Sequence, residues 1–366
     1  WFARTDPEWV RLRDLVAEQQ VKPSKTKGVR ILASSDDGPP IWHRSAKKGF
    51  PSFYETTHHL KRGDVDQKGP VAEPGFPQVW SREESPAGLS KLSPRVALSE
   101  RLVDNTQGVG SLLARVFVNR IWHYHFGRGL VATTSDFGTF GDTPSHPELL
   151  EWLAYDFVEH GWDVKRLQQQ IMTSAVYRQQ SLHDASEMNV DPGSRLLWRF
   201  PSRRIEAEIV RDSMLSVSGL LDPTLFGPGS RDPGMSRRSV YFFIKRAALI
   251  PEMTLFDWPE HLVSIGQRSH TTIAPQALQF LNSPQTRRYA EGLAERVSGI
   301  VEPRERISQL YQMALARFPM DNELELGVQF VSQQMGLYLE NGDDGNLAWV
   351  DYCQSLFSLN EFLYIR

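Results

Sequence analysis

Apolar residues recur at helical spacing along most of the chain after residue 93, whereas before it the pattern is broken and short. In residues 4–20, Asp6 is placed to cap and Pro7 to open an amphipathic helix that gathers Trp9, Leu12, Leu15 and Val16 near one face, and Lys22-Pro23 ends it. Gly, Pro, Ser and charged residues then dominate up to Pro94, with short β-like runs at 29–33 and 53–60 that predict a small irregular β region. Within it the tripeptide RGD at Arg62, Gly63 and Asp64, and EPGFP at residues 73–77, predict tight turns. An integrin-type reading of RGD is the weaker one, because such tripeptides arise by chance.

Residues 94–103 predict a helix, and another starts near Ser111. The second carries Val116, Phe117, Ile121, Trp122 and Phe126 on more than one side, the signature of a central buried helix, and Gly127 and Gly129 end it. Ser145-x-x-Glu148 reads as a capping box opening a helix that packs Leu149, Leu150, Leu153 and Phe157 and stops at Gly161. Asp163 caps the next, with Val164, Leu167, Ile171 and Ala175 in helical register. Residues 202–218 predict a helix with a dense ionic face, and RSVYFFIK at 238–245 is the clearest predicted strand. Thr272 is the expected N-cap of a helix with Pro275 in its first turn, and further helices are expected at 285–297, 303–316, 321–339 and 347–359. The expected fold is mainly α, a multi-helix orthogonal bundle with a small irregular β-rich N-terminal region. Its expected division is a lead-in over residues 1–92 and a helical domain over 93–366.

Composition narrows the function classes. The 366 residues are 40% hydrophobic, enough for a sizeable core, and 41 Lys+Arg against 44 Asp+Glu give no basic field for nucleic acid. No apolar run of about 18 residues exists to span a membrane as a helix. The single cysteine, Cys353, excludes an intrachain disulfide, a cysteine-based zinc site and a C-x-x-C-H haem attachment within this chain, and its apolar surroundings predict a core position. The start at Trp1, without Met or a signal peptide, fits the C-terminal part of a longer product.

Candidate chemistry concentrates around residues 115–177. Asp136-Phe137-Gly138 resembles the metal-holding tripeptide of kinases, but the glycine-rich phosphate loop, the V-A-I-K strand and the H-R-D loop are missing. His123 and His125 stand about 200° apart on a helix and so cannot share one metal; no metal site is expected. With Trp122, Arg128 and His146 they are the candidate ligand-binding residues, each weighed against ordinary packing. His146 would sit in a helix first turn, which disfavours its charged form. Hydrolysis would need two carboxylates facing a cleft, and Asp136, Asp142, Glu206 and Asp212 are the catalytic candidates, with Glu208 and Asp257 beside them. Arg203, Arg204 and Arg211 predict instead that most of these acids join an ion-pair network. A Ser-His-Asp site lacks its G-x-S-x-G elbow.

Several stretches in order, RVFVNRIWHYHFGRGLVATTSDFG, TPSHPELLEWLAYDFVEHGWDVKRL, RRIEAEIVRDSMLSVSG, TTIAPQALQFLNSP and the terminal NEFLYI, resemble the DUF1553-type planctomycete domain of unknown function that accompanies cytochrome c domains. The resemblance runs from about residue 92 to the C-terminus. It implies an exported, extracytoplasmic multidomain protein, a c-type haem carried by an upstream domain rather than by this chain, and a scaffold or binding role. The alternative is an extracytoplasmic hydrolase acting on polysaccharide. One departure is local: the family commonly leads into the central helix with Asn-Pro-Leu-x-Ala-Arg, where this chain has TQGVGSLLA at 106–114.

Overall fold

The computed structural model describes residues 57–72, 75–77, 94–106, 108–261 and 263–365, together with Arg11 and Asp14. The expected helix at 4–20 lies outside the described residues apart from those two, which are helical, and the β-like run at 29–33 lies wholly outside them. The chain forms two compact units, residues 1–109 and 110–366.

In the first unit, β1 (His58–Leu60) pairs antiparallel with β2 (Lys68–Val71). Between them Lys61–Gly63 make one tight 3₁₀ turn, with Arg62 at φ 53° and Gly63 at φ 77°, so the RGD tripeptide is a turn as the sequence predicts. Helix α1 (Pro94–Val103) completes the described part of this unit.

The second unit is helical and contains two cores. The first is built by α2 (Gly110–Phe126), α3 (Pro147–Glu159) and α4 (Val164–Thr173). It buries Val118, Trp122 and Phe126 against Leu150, Leu153, Phe157, Leu167 and Ile171. Rings give this core direction: Trp122 stacks on Phe126 at 4.3 Å, and Phe126 meets Tyr177 edge-on at 5.7 Å. Two short helices follow, α5 (Ala175–Arg178) and α6 (Ala185–Val190).

The second core gathers α7 (Ala207–Val217), α8 (Pro251–Leu255), α9 (Ala274–Asn282), α10 (Pro284–Arg296), α11 (Pro303–Leu315), α12 (Asp321–Glu340), α13 (Leu347–Phe357) and α14 (Asn360–Leu363). Helix α13 is its hub: it packs on both α10 and α12, and Cys353, Leu356 and Phe357 are almost wholly enclosed. The buried cysteine is the core residue that its surroundings predict. A two-residue ladder joins the cores: β3 (Arg203–Arg204) pairs antiparallel with β4 (Tyr364–Ile365), and Ile365 touches both clusters. The mainly α fold is thus as expected.

Three local expectations are corrected. Residues 238–245 do not form a strand; Ser239–Tyr241 make a 3₁₀ turn. The backbone of the run is met by a side chain and by a lone bridge instead of a partner strand: Asp212 of α7 accepts the Ser239 N–H at 2.7 Å, and Ser230 donates to the Tyr241 carbonyl at 3.0 Å and accepts the Phe243 N–H at 2.7 Å. Arg211 donates to the carbonyl of Arg237, just ahead of the run, at 3.0 Å. Ser145 and Glu148 do not form a capping box. The helix starts a residue later, with His146 at the N-cap, and the Ser145 hydroxyl pairs with His146 Nδ1 at 2.9 Å instead. The cap of α9 is Ile273, not Thr272, and its N–H is met by the Gln276 side chain at 3.4 Å. In addition, α7 is shorter than residues 202–218, because Arg203 and Arg204 are drawn into the ladder with the C-terminus.

Candidate functional site

The C-terminal end of α2 meets three loops, and its consecutive aromatic and histidine residues divide between two faces. Gly127, at φ 78°, turns the chain out of the helix with its N–H on the carbonyl of His123 at 2.7 Å. Asn119, 1% exposed, then fixes the returning chain. Its amide donates to the carbonyl of Val131 at 2.9 Å and its oxygen accepts the Val131 N–H at 2.8 Å.

On one face Trp122, Phe126, Arg128 and Asp142 line a cavity of about 40 Å³ with Ser145, Ser194 and Arg195. That is room for about three water-sized groups. Its far wall is the 191–200 loop, built on Asp191, which accepts from the N–H groups of Arg195 at 3.0 Å and Leu196 at 2.7 Å. Ser194 and Leu197 are held there at φ 48° and 59°, left-handed conformations that residues with a Cβ adopt at a cost. Three of the residues singled out in the sequence, Trp122, Arg128 and Asp142, therefore converge. Ser194 and Arg195 were missed because nothing local marks a loop that becomes a wall only in three dimensions.

Asp136 does not join them. It is exposed, its carboxylate accepts the Gly138 N–H at 2.8 Å, and the Thr133 hydroxyl ties the loop by donating to the Asp136 carbonyl and accepting the Asp142 N–H. The DFG tripeptide is a turn. Among the described residues no three His, Cys, Asp or Glu side chains are grouped to hold a metal.

The other face is charged. Pairing with the C-terminal strand sends Arg203 and Arg204 to opposite sides. Arg203 lies over Gly127 and donates to the carbonyl of Tyr124 at 2.6 Å. Arg204, 6% exposed, reaches Asp257 at 2.5 Å and the Thr271 carbonyl at 3.0 Å. Asp257 also accepts the Thr271 N–H and hydroxyl at 2.9 and 2.8 Å; burial opposes its charge, but these bonds and Arg204 hold its carboxyl below the usual range. Arg268 grips Glu208 with two bonds of 2.7 and 2.9 Å and reaches Glu206 at 3.3 Å, while Trp258 donates to Glu208 at 2.8 Å. Burial pushes Glu208 up, yet Arg268 and Trp258 bring it below its ordinary value. Asp212 is held by Ser239, with Arg238 at 3.5 Å and Arg211 at 3.6 Å.

His123 faces this network. It is 8% exposed and its Nδ1 has no hydrogen-bond partner among the described residues. Burial, then the charges of Arg203, His270 and Arg120, lowers its pKa. His125 packs edge-on to Tyr177 at 5.4 Å and is lowered by burial and Arg203. Arg268 and His270 come from the 263–272 loop, which Thr134 fastens to the loop after α2 by donating to the Gly266 carbonyl at 2.8 Å. Neither shows a helical or strand pattern in sequence, so neither was found there. His146 stays apart in the α3 cap, bonded to Ser145.

Chemically this face offers neutral imidazoles, anchored arginines and carboxylates already engaged by arginine. Fold and face together define a mainly α-helical domain with a charged cluster at the end of its central helix. Residues 94–331 match the family described as PSD1, protein of unknown function (DUF1553), and the chain belongs to that family. No curated protein matches the chain, and no solved structure does.

Proposed function

We propose that this chain is a binding or scaffold module of an exported, cytochrome-c-associated multidomain protein, holding a ligand or a neighbouring domain against the face formed by the end of α2 and the 263–272 loop. The observation that carries the reading is the double engagement of Glu206 and Glu208 by Arg268. A glycosidase needs one carboxyl free to donate a proton and a second free to attack or to activate water. With Asp212 held by Ser239 and arginines and Asp257 by Arg204, four acids are committed to structure. The ordered series of family motifs supports export, an extracytoplasmic location and an upstream haem c domain as the neighbour. Polysaccharide remains the candidate ligand because Tyr124 and Arg268 place an exposed ring beside anchored polar groups.

The test uses the purified chain against a panel of neutral and acidic polysaccharides, read by affinity electrophoresis and by release of new reducing ends. Retardation without release is the expected result. Release that disappears in Glu206→Gln or Asp212→Asn would overturn the reading in favour of a hydrolase, and absence of both retardation and capture of a separate haem-bearing segment by the chain would remove the binding role.

A further inference from the structure

A second pocket lies away from this face, inside the second core. Its apolar walls are Val210 and Met214 of α7, Phe242, Ile250, Met253 and Phe256 around α8, and Phe280 at the end of α9. Its polar lining includes Arg211, Glu252, Gln285 and Tyr289. Three of their buried atoms have no hydrogen-bond partner among the described residues, namely Glu252 Oε2, Gln285 Oε1 and Arg211 Nε. Native interiors leave few such atoms, because each loses its hydration without a replacement bond; three around one pocket mark it as a receptor for polar groups.

The arrangement says what kind. Arg211 is 5% exposed and fixed: its terminal nitrogens donate to the carbonyls of Arg237 and Met235 and to Ser239 Oγ. Nε is the one guanidinium nitrogen without a partner among the described residues, and with both terminal nitrogens engaged the fork is not free to grip a carboxylate or phosphate with two bonds. Glu252 Oε2 and Gln285 Oε1 both require donors. The Tyr289 hydroxyl stands beside the Arg211 guanidinium and, with its pKa raised chiefly by burial, stays protonated. Arg211 already has Asp212 at 3.6 Å, so the pocket holds no spare positive charge for an anion, and the aromatic and aliphatic walls penalise a further charge. Groups that both donate and accept, carried on an uncharged apolar frame, satisfy every atom: hydroxyls.

We propose that the pocket bounded by α7, α8 and the α9–α10 junction binds a small neutral polyol, or the polyol-bearing end of a longer molecule, through Glu252, Gln285, Arg211 and Tyr289. The cavity is about 40 Å³, so it receives the hydroxyl-bearing edge of the ligand rather than the whole of a large one. Arg211, which also stands 3.6 Å from Asp212, is the one side chain the pocket has in common with those named for the face around His123, and the pocket is read out separately from the role proposed there.

Met214 and Met253 line the pocket and serve as reporters, while Met313 and Met335 belong to distant parts of the same core. With ¹³C-methyl methionine in the whole chain, titration with xylose and glucose is expected to shift the Met214 and Met253 signals saturably and leave Met335 in place. Glucuronate and glucosamine are expected to shift them far less. Glu252→Gln is expected to weaken the apparent Kd about tenfold, the worth of one hydrogen bond to a charged group. Gln285→Leu, which removes the other orphaned acceptor at similar volume, is expected to weaken it less; both variants are checked for folding by unchanged Met335 and thermal melting. Absence of saturable shifts at Met214 and Met253, equal response to the charged sugars, or unchanged affinity in both variants overturns the proposal.

Discussion

The Arg203 side chain passes close over Gly127, its Cδ standing 2.8 Å from where a Cβ on that residue would be. The glycine therefore serves twice: it permits φ 78° at the end of α2, and it lets the arginine cross the helix terminus to the Tyr124 carbonyl.

Gly127→Ala is expected to destabilise the fold by about 2 kcal/mol or more, combining left-handed strain with displacement of Arg203. Chemical denaturation checks this. Gly161→Ala provides the comparison, since it shares the positive φ, at 70°, but has nothing within 4 Å of its Cβ position, and its loss should be smaller.

Asn119 clamps the loop that follows α2. Asn119→Leu keeps the volume but leaves the Val131 N–H and carbonyl unpaired in the interior, at an expected cost of about 3 kcal/mol. Amide exchange at Val131 should rise with it; an unchanged rate would show that the clamp is not what holds this loop.

Acid should destabilise the protein in two stages. His123 and His125 have folded pKa values below the ordinary 6.5, so the unfolded chain binds protons that the folded one refuses, and stability falls as pH drops below about 6.5. Glu208 and Asp257 are depressed from 4.5 and 3.8, and their contribution, present above those values, is lost as pH falls through the folded pKa values. A melting-temperature profile that stays flat from neutrality down to pH 4.5 would contradict the first stage.

Cys353 is 0% exposed, and burial pushes its thiol up to about 12, with Arg306 opposing only in part. Thiolate is the reactive form, so a thiol reagent at mildly alkaline pH should leave the native protein unlabelled and react in denaturant. Labelling at the same rate in both conditions would place the cysteine outside the core.

Helices were legible where local chemistry decides them. Asp163 caps α4 through the N–H groups of Lys165 and Arg166, and Gly161 and Gly127 end α3 and α2 with positive φ, as the pattern predicts. The aromatic run at 238–245 misled because β propensity says that residues suit a pleated surface, not that a partner strand is there. The partners of the run are instead Asp212, from a helix more than twenty residues earlier, and the single residue Ser230.

The sequence by itself determined the mainly helical class, the buried central helix, the core cysteine and the ordered motifs that place the chain in its family. These follow from spacing within a few residues, where periodicity and capping act. Tertiary structure alone decided that the C-terminal Tyr364 and Ile365 aim Arg203 and Arg204, that Arg268 neutralises Glu206 and Glu208, and that Arg211, Glu252 and Gln285 share one pocket. Those relations join residues 33 to more than 150 positions apart, and their partners are chosen by chain packing, which leaves no periodic trace in the sequence.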